Sequence, residues 1–139
     1  MGLSFILIEN LEIDLYIAHK LIKMTVGDDV LIETFTSAED ALDHIAATKV
    51  KKADRTIILL DLMMPRLNGA DFISLFEALP EKITGHYQIV IVTSSMNKAE
   101  LSRLGKKKNV ENVIAKPLTQ EKFKAVLEQI QIDTGGKEM

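Results

Sequence analysis

Glu9 and Asn10, Asp61, Thr93 and Lys116 offer, in chain order, a carboxylate, an amide, a second carboxylate, a hydroxyl and an ammonium. Each follows a short apolar run, or closes one. A carboxylate in such a place can act as a nucleophile. To accept a phosphoryl group, Asp61 needs a divalent cation bridging its oxygens and the incoming phosphate. It also needs donors for the remaining phosphoryl oxygens, because the transition state spreads negative charge over them. Lys116 and Thr93 are donors of the right kind.

Chemistry between residues so far apart requires a scaffold that gathers them. Five apolar runs have strand length: Phe5 to Ile8, Val30 to Phe35, Ile57 to Leu60, Ile89 to Val92, and Val113 to Ala115. Most are rich in β-branched residues. Ile57-Ile58-Leu59-Leu60 and Ile89-Val90-Ile91-Val92 lack polar alternation, as strands do when helices cover both faces of a parallel sheet. Helical periodicity fills the intervals. Ala38, Ala41, Leu42 and Ile45 form one apolar stripe, and Phe123, Val126, Leu127 and Ile130 another. Ser37 and Thr119 stand where N-caps belong, the latter just after Pro117. Weaker helical patterns fit Glu12 to Val26, Ala70 to Leu79, and Lys98 to Lys107.

Strand and helix thus alternate five times. Right-handed crossovers then predict an α/β fold: a doubly wound, five-stranded parallel sheet of flavodoxin-like order 2-1-3-4-5, with helices on both faces. In such a sheet a site forms beyond the carboxyl ends of the strands, where Glu9, Asn10, Asp61, Thr93, Ser94 and Lys116 fall. Lys49 to Arg55 reads as a charged surface connection. Residues 1–132 are expected to form the domain and 133–139 a flexible tail.

The 139 residues suit one domain, and 47% hydrophobic with 27% charged residues is a globular composition. With no cysteine, disulfides, thiolate metal sites and thiol catalysis are excluded. A net charge of −3 offers no broad basic field, so nucleic acid is not expected as a partner of this chain. The apolar start, Leu3 to Ile8, is too short for a membrane span, and a cytoplasmic location is expected. His19, His44 and His86 have no metal-like spacing. Lys106, Lys107 and Lys108 read as charges favoured at a helix C-terminus.

Taken singly, Asp61 reads equally as a cap or loop residue and as a functional carboxylate, Lys116 as a surface lysine and Thr93 as an ordinary strand residue. In combination they resemble the receiver domains of bacterial response regulators, chemotaxis-regulator-like and stand-alone, over nearly the whole chain from Phe5 to about Ile132. Four motifs carry the resemblance: Ile8-Glu9-Asn10; Asp61-Leu62-Met63-Met64-Pro65-Arg66-Leu67-Asn68-Gly69; Val92-Thr93-Ser94-Ser95; and Ala115-Lys116-Pro117-Leu118.

The resemblance implies that Asp61 is the phosphoacceptor and that Mg²⁺ is held by Asp61, the Met63 backbone carbonyl and Asn10, with Glu9 acting through a metal-bound water. Lys116 would pair with a phosphoryl oxygen across a cis Lys116–Pro117 bond. Thr93 would follow the phosphoryl oxygen, with small Ser94 leaving room. Pro65 and Gly69 would shape the tight loop before the third helix through fixed and permissive φ.

Two departures stand out. Receivers usually have two Asp residues where this chain has Glu9 and Asn10, so Glu9 and Asp61 leave two negative charges against one on Lys116. Weaker Mg²⁺ binding is therefore expected. Val113 stands where the family commonly has an aromatic that swings inward, so readout would rest on backbone shifts after Thr93.

The implied function is that of a non-enzymatic switch taking a phosphoryl group from a histidine kinase or phosphotransfer protein and signalling to a protein target, as a monomer or weak dimer. A degenerate receiver that binds proteins without phosphorylation is the alternative. An aspartyl-phosphate phosphatase is disfavoured because Met63 occupies the place of the general acid two residues after the nucleophile. Flavin binding is disfavoured because no Ser/Thr/Gly-rich loop follows the first strand.

Overall fold

A computed structural model describes residues 2–49 and 54–132. Among the described residues five strands and six helices follow in order, alternating except where α3 and α4 are consecutive: β1 (Leu3–Ile8), α1 (Glu12–Val26), β2 (Leu31–Phe35), α2 (Ala38–Ala47), β3 (Arg55–Leu60), α3 (Gly69–Glu77), α4 (Glu81–Thr84), β4 (Tyr87–Thr93), α5 (Lys98–Gly105), β5 (Val110–Ala115) and α6 (Gln120–Gln129). The strands form one parallel sheet in the order β2-β1-β3-β4-β5, as the alternation predicts. The tail expected at 133–139 and most of the connection expected at 49–55 lie outside the described residues, apart from Lys49, Asp54 and Arg55, the last of which opens β3.

The pleat sends alternate residues to opposite faces, and two cores result. On one face Ile6, Ile8, Ile58, Leu60, Ile89 and Ile91 pack under α2, α3 and α5. On the other, Phe5, Leu7, Ile57, Leu59, Val90 and Val92 pack under α1 and α6. The unbroken apolar runs of β3 and β4 supply both cores at once, which is why their sequences show no alternation. Phe5 meets Phe123 of α6 at 6.0 Å between ring centres, and Phe76 meets Tyr87 edge-on at 5.9 Å.

Helix starts follow the capping chemistry. Ser37 accepts from the Asp40 amide, Thr119 from Lys122, Asn68 from Asp71 and Asn97 from Glu100. The single-turn α4 was not expected from sequence, because four residues are too few to display a helical period. The Lys106–Lys108 run falls at the C-terminus of α5, and it also makes ion pairs: Lys107 with Glu77 at 3.5 Å and Lys108 with Glu81, tying α3 and α4 to the end of α5. His44 and His86 bond to Glu33 and to the Asp54 carbonyl.

Candidate functional site

Register decides which strand tips meet. Ile8 of β1 stands beside Leu60 of β3, so the next residues, Glu9 and Asp61, leave the sheet side by side. Thr93 of β4 stands beside Ala115 of β5, which brings Lys116 to the same edge. Backbone bonds fix all three exits: Glu9 donates to the Phe35 carbonyl, Asp61 to Ile8 and Lys116 to Thr93. Glu9, Asp61 and Thr93 are buried polar residues at the edge of an otherwise apolar sheet.

Lys116 is the hub. Its Nζ lies 2.8 Å from Glu9 Oε1, 2.8 Å from Asp14 Oδ2 and 3.6 Å from Asp61 Oδ2. Asp14, in the first turn of α1, carried no signal in the sequence beyond an acidic residue near a helix start, an ordinary place for one. The balance of two carboxylates against one ammonium is thereby corrected to three, Glu9, Asp14 and Asp61. The fold supplies from α1 a charge that the Glu9-Asn10 turn lacks.

Electrostatics follow from this crowding. Burial raises the Glu9 pKa above the usual carboxylate value and the neighbouring Asp61 adds to the rise, although Lys116 and the Leu11 amide oppose it. For Lys116, burial works against the charged form. Bonds to Asp14 and Glu9 and the charge of Asp61 outweigh it, and its pKa rises well above the ordinary lysine range.

The remaining side chains prepare the loops. Asp61 Oδ1 accepts from the Met63 amide at 3.1 Å, which turns the chain just after β3. Thr93 Oγ1 accepts from the Ser95 amide at 3.1 Å, so its hydroxyl anchors the loop after β4, while Ser94 is exposed. The Lys116–Pro117 peptide is cis. Gly69 serves a different purpose from the one its sequence suggested. Its φ is unexceptional and the positive φ in this loop belongs to Arg66, at 63°. A Cβ on Gly69 would stand 2.7 Å from Leu62 Cα and 2.8 Å from the Asp61 carbonyl, so the requirement is close approach, not permissive φ. Val113 packs half-buried on the α2, α3 and α5 face.

The oxygens gathered here fit a hard divalent cation. Asn10 Oδ1 is buried without a hydrogen-bond partner, and an orphaned amide oxygen in the turn directly after Glu9 is a ready ligand. Among the described residues no three His, Cys, Asp or Glu side chains form a cation cage by themselves. Neutral oxygens, the Asn10 amide and the Met63 carbonyl, would have to complete a coordination sphere begun by Asp61.

Solved structures share this architecture. A response regulator receiver protein from Dyadobacter fermentans superposes with a TM-score of 0.80 at 23% identity, covering 95% of this chain and 100% of that one. A two-component response regulator from Cytophaga hutchinsonii gives 0.76 at 22%, covering 93% and 96%. One from Legionella pneumophila gives 0.72 at 20%, covering 94% and 98%. Likeness at these identities speaks for the fold. No curated protein matches the chain. Residues 7–128, a span holding every residue of the site, match the response regulator receiver domain, and the chain belongs to that family of two-component signalling modules.

Proposed function

We propose that Asp61 accepts a phosphoryl group from a histidine kinase or phosphotransfer protein, and that the phosphorylated domain, residues 1–132, signals by binding a protein target in the cytoplasm. Receiver domains interact with such kinases and targets, and they bind Mg²⁺ at their acidic pocket. The observation that carries the reading is a buried carboxylate, Asp61, with an ammonium 3.6 Å away.

A carboxylate oxygen of Asp61 attacks the phosphorus of a phosphohistidine. The new O–P bond forms as the N–P bond breaks, and the bonding pair leaves with the imidazole nitrogen. Lys116 offers its ammonium to a phosphoryl oxygen, and the Thr93 hydroxyl turns from the Ser95 amide to another. A bound Mg²⁺ would neutralise charge shared by Asp61 and the phosphoryl group. Because Val113 has no ring to reorient, readout proceeds through the backbone after Thr93.

Intact-mass analysis with acetyl phosphate and Mg²⁺ tests the reading. A gain of one phosphoryl group that disappears in Asp61→Asn supports it. No gain at saturating Mg²⁺ overturns it and favours the phosphorylation-independent binding module, for which the neutral Asn10 in the acidic turn is the supporting observation.

A further inference from the structure

Lys116 does not stand free opposite Asp61. An ammonium has three donors, and two of them go to Glu9 and Asp14 at 2.8 Å each. Asp14 and Lys116 also border a cavity of about 350 Å³ lined by Glu9 and Asp61 and, on its apolar walls, by Leu7, Ile17, Leu59 and Val92. The apolar walls offer the ammonium no hydrogen-bond partner, so as it moves within the site Lys116 exchanges one anionic partner for another. The cavity leaves it room to move.

We propose that Asp14 is a positioning residue that holds the Lys116 ammonium on the α1 side of the site until an anion on Asp61 draws it away. Lys116 then has two positions. In one it bridges Glu9 and Asp14; in the other it exchanges the Asp14 bond for a phosphoryl oxygen. Three carboxylates against one ammonium also leave a net charge of −2 on the cluster, which repels an anionic phosphodonor. Asp14 contributes to both barriers, one local and one long-range, and so sets a threshold for loading Asp61. The inference rests on the reading of Asp61 as phosphoacceptor, but the clamp itself exists without any phosphodonor.

Two measurements on the full chain separate the ideas. The first is beryllofluoride affinity in saturating Mg²⁺, with the half-saturating acetyl phosphate concentration read by intact mass. Asp14→Asn should bind beryllofluoride more tightly by on the order of tenfold, the scale of one charge-assisted hydrogen bond, and half-saturation should fall in parallel. In a Lys116→Met background the effect of Asp14→Asn should shrink to the residual repulsion of one carboxylate, well below tenfold. Equal affinities in wild type and Asp14→Asn, or a gain undiminished without the ammonium, would overturn the proposal. The second is proton exchange at the Lys116 ammonium, followed by nitrogen-15 NMR without phosphodonor. Faster exchange in Asp14→Asn supports the clamp and unchanged exchange overturns it. If exchange accelerates while wild type takes up neither acetyl phosphate nor beryllofluoride, the clamp stands and the phosphoacceptor reading of Asp61 falls.

Discussion

Lys116 and Asp14, 102 residues apart in the sequence, close a 2.8 Å ion pair across the mouth of the site. The pair joins the first turn of α1 to the end of β5, and with Glu9 and Asp61 it sets one cation among three carboxylates. The stability of the metal-free domain should reflect that arrangement.

Lys116→Met keeps the apolar stem and removes the charge. At neutral pH it should destabilise the domain by about 2 kcal/mol, somewhat less than for a fully buried ion pair, because three carboxylates lose their common partner. The folded-state pKa of Lys116 is raised above 10.5, so its contribution is fully present below that pH and is lost only as pH climbs through the folded value. On the acid side, protonation of the carboxylates should shrink the deficit. Urea denaturation of both proteins at pH 4 and pH 7 checks this, and a deficit that grows toward pH 4 would contradict it.

Glu9→Gln should behave in the opposite sense. The folded-state pKa of Glu9 is raised from 4.5, so ionising it costs the fold. Its contribution is present below 4.5 and is lost as pH rises through the folded value. Relative to wild type, the Gln variant should therefore gain stability between pH 4 and pH 7 in metal-free buffer. Thermal midpoints across that range provide the measurement; a constant difference would mean Glu9 ionises freely.

Gly69→Ala should cost about 2–3 kcal/mol, the upper part of the range for overpacking, because its Cβ would collide with the Leu62 backbone as well as with a movable side chain. Leu62 follows Asp61 directly, so the same variant should load acetyl phosphate more slowly even where it is fully folded. Denaturant midpoints and loading rates taken together distinguish the two effects.

Asn10→Asp replaces the orphaned amide oxygen with a charged one. Mg²⁺ should bind about tenfold more tightly, the change expected for roughly 1.4 kcal/mol of added attraction. Calorimetric titration of Mg²⁺ without phosphodonor measures it. Equal affinity in the two proteins would show that Asn10 is not a ligand.

Strand number, strand order and the positions of Glu9, Asp61, Thr93 and Lys116 at strand tips were legible in the sequence because they depend on local signals. Apolar runs with period two or none, stripes with period 3.6, and caps at Ser37 and Thr119 each involve residues close together. Edges were harder to read. β5 begins at Val110, but Glu111 and Asn112 mask it, since an edge strand tolerates polar residues that a central one does not. The one-turn α4 was too short to leave a pattern. Only the tertiary structure could decide that Asp14 completes the site, that Gly69 is required for room, and that Val113 faces the layer of α2, α3 and α5. Each is a matter of distance between atoms on different elements. Periodicity says which face a residue occupies, whereas sheet register and helix docking say what that face meets.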